Sequence, residues 1–382
     1  MEKRVFETIG EVVIPAGADK EKLFFALLGA GLWGQRVRLL SDSNLDFPSL
    51  YQMAEEQSVI GLITSGLELV SEKKFPVKEI RSFIQAVIVE ESRNKRMNLF
   101  IAGLFDRLTE NGITPVLVKG QGISQCYLNP LWRSSGDIDI LVSEKDYKIS
   151  SSFLSKLNSR YAEAYKNHRA YRIDGWDVEL HGSLHAGLSN RMNRVLDSIQ
   201  EEMFKNNSFR QWDNGSTIVL LPAPNEDVVF VFSHILQHFY KGGVGLRQIC
   251  DWCRLLFCYQ EEIDRNLLER RLCEMRILLE WKVFGCLAVR FLGFPREAFP
   301  LYEDVSSADT DRVLSLILAK GNFGNKINKY YFSEKSIFQR KTATFFRQFK
   351  DYVTIFNVFP KNTLRAGWYF LLNQSLAALK VK

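Results

Sequence analysis

The sequence predicts an α+β fold in which a small mixed β-sheet core is flanked by an N-terminal and a C-terminal helical region. Apolar residues between 20 and 110 recur mostly at three- and four-residue spacing, which is typical of amphipathic helices. The same period returns from Asn225 onward. Between these regions, short apolar runs alternate with turn signals, as expected for strands. At 382 residues the chain is too long for one ordinary core, so we expect two or three domains.

These patterns divide the chain into four parts. They are an N-terminal helical region (1–110), an α/β core (111–222), a C-terminal helical domain (223–330) and a basic, aromatic helical tail (331–382). In the first part, Asp46 with Pro48 and Ser49 behind it is a helix start signal.

The core is predicted to begin after the Asn111-Gly112 turn. A second turn, Asp174-Gly175, is a two-residue hairpin signal between two short runs. The predicted core elements are a strand at 114–118, a helix at 120–128, a strand at 137–142, a helix at 146–161 and hairpin strands at 170–173 and 176–181. Further helices are predicted at 228–239, 248–259, 267–275 and 279–291.

The composition is that of an ordinary globular protein, with 46% apolar and 25% charged residues. No apolar run reaches the roughly 18–20 residues that span a bilayer, so we expect no transmembrane segment. Glu2, Glu7 and Glu11 dilute the basic N-terminus that a signal peptide would need, so we expect a cytoplasmic protein. Five of the six cysteines fall in one helical stretch rather than across a disulfide framework, which indicates reduced thiols.

Positive charge is concentrated near the C-terminal end of the sequence. Residues 320–382 hold twelve Lys or Arg and two acidic residues, so this segment carries +10 while the whole chain carries +6. Such a tail could meet phosphates or an anionic membrane surface. The alternative is a solvated basic face on helices that cover the core.

Two aspartates one residue apart, Asp137 and Asp139, give the first indication of chemistry. Alternate side chains of a strand point the same way, so both carboxylates lie on one face and Ile138 and Ile140 on the other. Neighbouring carboxylates repel each other unless a cation lies between them, and divalent cations prefer oxygen ligands. The pair therefore indicates metal-assisted phosphoryl or nucleotidyl transfer.

Other motifs accompany this pair in a defined order. The chain has Leu117-Val118-Lys119-Gly120, then Tyr127-Leu-Asn-Pro-Leu-Trp-Arg133, Asp137-Ile-Asp139, Glu179-Leu-His181 and His234-x-x-x-His238. In the strand that carries Glu179, alternation places Asp177, Glu179 and His181 on one face. This series resembles the uncharacterised nucleotidyltransferase family of the polymerase-beta-like nucleotidyltransferase superfamily. The resemblance covers about residues 45–325.

The resemblance implies a Mg²⁺-dependent nucleotidyltransferase that moves a nucleoside monophosphate from an NTP to an acceptor. Two Mg²⁺ ions would be held by three carboxylates, with Asp137 and Asp139 on the first ion and Asp139 and Glu179 on the second. Lys119 and Gly120, in the turn after the first core strand, and Arg133 would face the phosphates. The acceptor stays open among a sugar, a small molecule, a protein and an RNA.

One motif departs from the wider superfamily, which uses Gly-Ser in the phosphate-binding turn where this chain has Lys119-Gly120. Lys119 could supply a point charge to a phosphate or form a structural salt bridge.

The roles of several other residues also stay open. Arg133 could contact phosphate, or pair with Asp137 or a helix terminus. His181 could be a ligand, an acid or base in the catalytic pocket, or a packed strand histidine. His168, Arg169 and Tyr171 precede the hairpin turn and could also reach the site.

Two further hypotheses stay open. The chain could be a non-catalytic nucleotide-binding, membrane-peripheral or RNA interaction protein that uses the basic tail as its surface. His234 and His238 with Cys250 and Cys253 superficially resemble a zinc site. Because both cysteines lie in an apolar helical pattern, we expect instead that the histidines line the substrate cleft or hydrogen-bond within the core.

Overall fold

A computed structural model describes residues 10–15, 17–40, 45–71, 75–157, 167–215, 217–241, 243–322 and 351–369, together with the backbone of 160–162. The N-terminal elements are β1 (Glu11–Ile14), α1 (Lys20–Trp33), β2 (Arg36–Leu39), α2 (Phe47–Glu56), α3 (Ile60–Glu68) and α4 (Val77–Glu110). The elements of the core are β3 (Val116–Val118), α5 (Gly120–Ser124), β4 (Ile138–Leu141), α6 (Glu144–Leu157), β5 (Arg160–Ala162), β6 (His168–Ile173), β7 (Trp176–His181), α7 (Asn190–Lys205), β8 (Phe209–Asp213) and β9 (Ile218–Pro222). The C-terminal helices are α8 (Pro224–Lys241), α9 (Leu246–Cys258), α10 (Arg265–Met275), α11 (Leu278–Leu292), α12 (Ser307–Lys320) and two further helices at 351–358 and 360–369.

A mixed sheet of seven strands forms the described part of the core, in the order β5-β6-β7-β4-β3-β9-β8. β4 pairs antiparallel with β3 on one side and parallel with β7 on the other. β6 and β7 form an antiparallel hairpin, and β3 also pairs in parallel with β9. The predicted α+β class is confirmed, and the strand that carries Asp139 lies in the middle of the sheet.

Two local signals read from the sequence are confirmed. Asp46 caps α2, because its side chain accepts a hydrogen bond from the Ser49 backbone N–H at 3.1 Å. Asp174 and Gly175 both have positive φ, 48° and 83°, as a two-residue turn with the twist of a hairpin requires. This turn fixes the β6–β7 register, which pairs His168 with His181.

Three predicted element boundaries are wrong. Residues 20–110 are not all helical, because Arg36–Leu39 alternates at period two and pairs in parallel with β1. The helix predicted at 120–128 ends at Ser124, where the chain continues in tight turns with hydrogen bonds between residues three apart. The helix predicted at 146–161 ends at Leu157, and Arg160–Ala162 instead pairs with β6.

The two faces of the sheet belong to different hydrophobic clusters. Ile138 and Ile140 of β4, 2% and 0% exposed, pack with apolar residues of α4 and α6. Val116 and Val118 of β3 point the other way, into a larger cluster built mainly from helices. Asp139 lies between Ile138 and Ile140 in sequence, so its side chain is on the face of the larger cluster.

Helices from both ends of the sequence share that larger cluster. α1 and α3 cross closely through glycines: a Cβ at Gly31 would lie 1.9 Å from the Leu62 carbonyl oxygen, and one at Gly66 2.1 Å from that of Leu27. At the end of α1, Trp33 donates through Nε1 to a backbone carbonyl of α11. The domain boundaries drawn from the sequence stay predictions, but the two helical regions pack around one interior.

The predicted tail is only partly described. Ile355 and Phe359 are buried in the larger cluster, whereas Leu364 and Trp368 are exposed. Residues 331–350 and 370–382, which carry most of the predicted basic tail, lie outside the described residues. Among the helices that are described, none combines the length and the apolar character needed to cross a membrane. All six cysteines are free thiols.

Candidate active site

Strand pairing brings three predicted metal ligands together. Asp139 of β4 is the direct neighbour of Glu179 of β7, and Asp137 immediately precedes β4. Oxygen atoms of the three carboxylates lie within 4.8 Å of one another, which is close enough to share a cation. Asp139 is buried, Glu179 is half-buried and Asp137 is exposed, so the cluster opens to solvent at Asp137.

Lys119 lies directly against this cluster. It is in the turn between β3 and α5, and its Nζ is 2.8 Å from Asp139 Oδ1. The turn has an unusual backbone, since Lys119 has φ 60° and ψ −148° and Gly120 has φ 45°. A Cβ at Gly120 would lie 3.7 Å from the Asp137 carbonyl oxygen, so the turn passes close to the start of β4. Lys119 and Gly120 therefore border the carboxylates, and their predicted contact with phosphates stays a prediction.

The charges in this cluster are strongly coupled. The charge of Asp139, followed by partial desolvation of the carboxyl group within the cluster, raises the pKa of Asp137 to about 6, although Lys119 opposes the shift. Burial alone would raise the pKa of Asp139, but Lys119 and a hydrogen bond from His181 outweigh it and hold that pKa well below its ordinary value. Burial disfavours the charged form of Lys119, but Asp139 and Asp137 reverse this effect and raise its pKa. One ammonium thus balances a cluster that carries more negative charge than it can neutralise.

Two histidines surround Glu179. His181 donates from Nε2 to Asp139 Oδ1 at 2.8 Å, and burial lowers the pKa of its ring. His168 contacts Glu179 Oε2 through Nε2 at 2.9 Å. Of the residues near the hairpin considered from the sequence, His168 reaches the site, whereas Arg169 and Tyr171 donate to Ser151 of α6.

One of the paired histidines of α8 also contacts Lys119. His234 Nε2 lies 3.4 Å from Lys119 Nζ and 3.0 Å from His238 Nε2. Burial, with the nearby charge of Lys119, lowers the pKa of His238 to about 4 and also holds the pKa of His234 well below its ordinary value. Cys250 and Cys253 are buried in the larger hydrophobic cluster.

Arg133 is held by another set of contacts. Its Nε and Nη2 donate to the two oxygens of Asp251 on α9, each at 2.7 Å, and Tyr127 Oη donates to the same carboxylate at 2.7 Å. The Arg133 side chain is 3% exposed. A phosphate would have to compete with Asp251 for this guanidinium, so the phosphate contact stays a prediction, and the observed geometry supports a structural role.

Sequence reasoning missed a buried amide that supports the loop before β4. Asn94 of α4 donates through Nδ2 to the carbonyl oxygens of Leu131 and Arg133, at 2.8 and 2.9 Å. Its Oδ1 accepts from Gln121 Nε2 at 2.8 Å, which links α4 to α5. A signal existed: Asn94 lies seven residues from both Val87 and Ile101, which are buried on α4, so the buried side of that helix contains one amide.

The geometry can be compared with known proteins. Neither the curated proteins nor the solved structures contain a significant match to this chain. The model of a protein family described as an uncharacterised nucleotidyltransferase matches residues 43–293, about two thirds of the chain. This range includes the turn at Lys119, the carboxylate cluster and the paired histidines. The chain belongs to the uncharacterised nucleotidyltransferase family.

Proposed function

We propose that this protein is a Mg²⁺-dependent nucleotidyltransferase that moves a nucleoside monophosphate from an NTP to an acceptor and releases pyrophosphate. The observation that carries the proposal is the convergence of Asp137, Asp139 and Glu179 next to the Lys119-Gly120 turn. Family membership supports transfer of a nucleotide. The acceptor class stays open among sugars, small molecules, proteins and RNA.

The three carboxylates fit divalent cations by their donor set. All three offer oxygen, which Mg²⁺ prefers. The raised pKa of Asp137 reports the repulsion that a bound cation would relieve, because the charge of Asp139 is its main cause. Asp137 and Asp139 would hold one ion, and Asp139 and Glu179 the other. When bound, such ions neutralise phosphate charge and lower the pKa of an acceptor hydroxyl.

Lys119 has a second role in this proposal. Its ammonium lies 2.8 Å from Asp139 Oδ1, where it balances part of the negative charge of the cluster. A cation bound to Asp139 would repel the ammonium, which would then be available for a phosphate oxygen. Gly120 has a φ of 45°, which suits glycine, and it carries the turn past the start of β4 beside Asp137. The departure from Gly-Ser thus replaces a hydroxyl with a positive charge.

His181 positions the carboxylate that both ions share. Its Nε2–H fixes Asp139 Oδ1 at 2.8 Å, and the lowered pKa of the ring favours the neutral form. A neutral imidazole adds no positive charge that would compete with a metal ion for Asp139. As long as no ion is bound to its own Nε2, His181 is therefore the group that orients Asp139.

The test is binding followed by turnover. Calorimetry with Mg²⁺ and each NTP should show binding to the wild type. NTP labelled at the α-phosphate, incubated with the protein and a cell extract, should label an acceptor and release pyrophosphate. Asp139→Asn should abolish labelling, because it removes a ligand shared by both ions. Absence of NTP binding with every nucleotide would refute the proposal, and binding without labelling would favour the non-catalytic alternative.

A matched control is available on the same strand. Asp177 lies two residues before Glu179, but it is exposed and pairs with Arg172. Asp177→Asn removes a carboxylate of the same strand without touching the cluster. It should leave labelling unchanged, whereas Glu179→Gln should reduce labelling at least a hundredfold, as expected when an electrostatic contribution of several kcal/mol is lost.

A further inference from the structure

Two imidazole nitrogens converge on the carboxylates at one side of the cluster. His168 Nε2 lies 2.9 Å from Glu179 Oε2, and His181 Nε2 lies 3.6 Å from the same oxygen. His181 Nε2 is also 2.8 Å from Asp139 Oδ1. Ligand atoms of His168, Glu179 and His181 all lie within 4.8 Å of one another. This group contains nitrogen donors, in contrast to the all-oxygen set of Asp137, Asp139 and Glu179.

The two histidines are placed by the sheet itself. His168 of β6 and His181 of β7 are direct partners in the antiparallel hairpin, and their rings stack with centroids 4.5 Å apart and planes 19° from parallel. Glu179 lies two residues before His181, on the same face of β7. Donors carried by paired strands are held more precisely than donors on loops. The convergence is therefore a property of the hairpin register.

The separations suit one common ion. Ligand atoms bound at about 2.1 Å are roughly 3.0 Å apart at right angles and roughly 3.4 Å apart at tetrahedral angles. Glu179 Oε2 lies 2.9 Å from His168 Nε2 and 3.6 Å from His181 Nε2, and these two separations bracket the expected values. Two histidines and one glutamate form a donor set that occurs in catalytic zinc sites, where further positions stay open for water or substrate.

The donor type selects the class of metal. Mg²⁺ takes oxygen ligands in octahedral geometry and keeps several waters. Imidazole suits Zn²⁺ and its transition-metal neighbours. Binding needs the lone pair of each Nε2, so each neutral ring would carry its hydrogen on Nδ1, and the hydrogen bonds that Nε2 makes to the carboxylates would be replaced by bonds to the ion.

We infer that His168, Glu179 and His181 bind a divalent transition-metal ion of the Zn²⁺ class, which would take the place that the proposed function gives to the second Mg²⁺ ion. The inference deepens the proposed function, because Glu179 belongs to both donor sets. Binding of the ion does not itself require nucleotidyl transfer. Asp137 and Asp139 retain the oxygen-only position for Mg²⁺.

Cobalt provides a spectroscopic probe for this site. Untagged protein is stripped of metal with a chelator and titrated with Co²⁺ in the presence of excess Mg²⁺, and visible absorption and calorimetry are recorded. We expect Co²⁺ to bind despite the Mg²⁺ and to give visible bands typical of nitrogen and oxygen ligation. His168→Ala should weaken Co²⁺ binding at least tenfold and change the bands, while Mg²⁺ affinity measured without Co²⁺ stays within about threefold.

A second histidine serves as the matched control. His185 pairs with the exposed Asp197 and contributes no atom to the cluster. His185→Ala should retain the Co²⁺ spectrum and affinity, and circular dichroism with thermal unfolding establishes that both variants are folded. The inference is overturned if excess Mg²⁺ prevents Co²⁺ binding to the wild type. It is also overturned if His168→Ala binds Co²⁺ as His185→Ala does.

Two combined outcomes separate this inference from the proposed function. If Co²⁺ binds as expected but no NTP is bound or transferred, the metal site stands and the proposed function fails. If NTP labelling proceeds and His168→Ala leaves Co²⁺ binding unchanged, the function stands, and the His168–Glu179 contact is a hydrogen bond that only orients the carboxylate.

Discussion

Lys119 combines a charged side chain with a backbone conformation that suits glycine. Its φ of 60° and ψ of −148° fall in a region that side-chain-bearing residues adopt at a cost of about 1–3 kcal/mol. The contacts of the ammonium with Asp139 and His234 hold the residue in this strained state.

A pair of substitutions separates the strain from the charge. Lys119→Gly and Lys119→Ala both remove the ammonium, but only glycine adopts the observed backbone without strain. We expect the free energy of unfolding measured in urea to be on the order of 1 kcal/mol higher for Lys119→Gly than for Lys119→Ala. Equal stabilities would show that the backbone is unstrained. NTP binding should weaken in both variants if Lys119 meets a phosphate.

The carboxylate cluster should lower the stability of the metal-free protein. The pKa of Asp137, raised to about 6 mainly by the charge of Asp139, lies above its ordinary value of 3.8. A carboxyl whose pKa is raised by folding destabilises the fold when it is ionised. The destabilisation by ionised Asp137 is complete above about pH 6 and decreases as the pH falls toward 3.8. Asp137→Asn should therefore raise the thermal unfolding midpoint at neutral pH in the presence of a chelator, and much less near pH 4.

Asp177→Asn is the control for this experiment as well. Its carboxylate is exposed and paired with Arg172, so its loss should not raise the midpoint at either pH. Scanning calorimetry at the two pH values gives the comparison. A lower midpoint for Asp137→Asn at neutral pH would contradict the repulsion that the geometry implies.

At the scale of elements, the loop from α5 to β4 is anchored on both sides. Asn94 of α4 binds two of its carbonyl oxygens, and Asp251 of α9 binds Arg133 and Tyr127. This loop leads directly into Asp137. The helices that flank the sheet therefore position Asp137, the first carboxylate of the cluster.

Removing one charge of the buried Arg133–Asp251 ion pair should strongly destabilise the fold. Asp251→Asn leaves the Arg133 guanidinium buried without its counter-charge, and such losses typically cost about 3–5 kcal/mol. The double substitution Arg133→Met with Asp251→Leu should recover most of this loss, since it removes both charges. Urea unfolding monitored by tryptophan fluorescence measures both effects. A double variant no more stable than Asp251→Asn would contradict this account.

The double variant Arg133→Met with Asp251→Leu also tests whether Arg133 contacts phosphate. If NTP affinity stays unchanged in Arg133→Met with Asp251→Leu, the guanidinium holds the loop, as the geometry supports. A large loss of NTP affinity at unchanged stability would instead establish the phosphate contact predicted from the sequence.

Contacts that follow from the local periodicity of helices and strands could be predicted from the sequence. Contacts between residues far apart in the chain could not. Period-two alternation places Asp137 with Asp139, and Glu179 with His181, on one face of each strand, but only the family resemblance indicated that the three carboxylates meet. The two-residue turn at Asp174 was readable from the sequence, and the register that it sets pairs His168 with His181. By contrast, Arg133 and Asp251 are 118 residues apart, and no local pattern connects them. Such tertiary pairs depend on how α9 packs against the sheet. Short strands such as Arg36–Leu39 were missed because four residues give little periodic signal within a helical region.

At the scale of the whole molecule, the sheet depends on helices from both ends of the sequence. Val116 and Val118 of β3 are buried in the cluster that also contains residues of α1, α8 and α11. Lys119 reaches His234 of α8 across the same face of the sheet. The carboxylate cluster therefore lies where the sheet and the C-terminal helices meet, although its ligands all come from the predicted core.

This arrangement predicts that the core does not fold alone. A fragment of residues 111–222 would expose the face of β3 and β4 that the helices bury, and it would lack α4, which covers the opposite face. Burial of apolar surface is the main force that stabilises a fold, and this fragment would keep α6 and α7 but lose a large part of that burial on both faces of its sheet. We expect poorly dispersed amide signals in NMR spectra and no cooperative thermal transition, whereas the full chain shows a cooperative transition under the same conditions. A well-dispersed spectrum with cooperative unfolding would show that 111–222 is an autonomous domain and that the helices only complete its site.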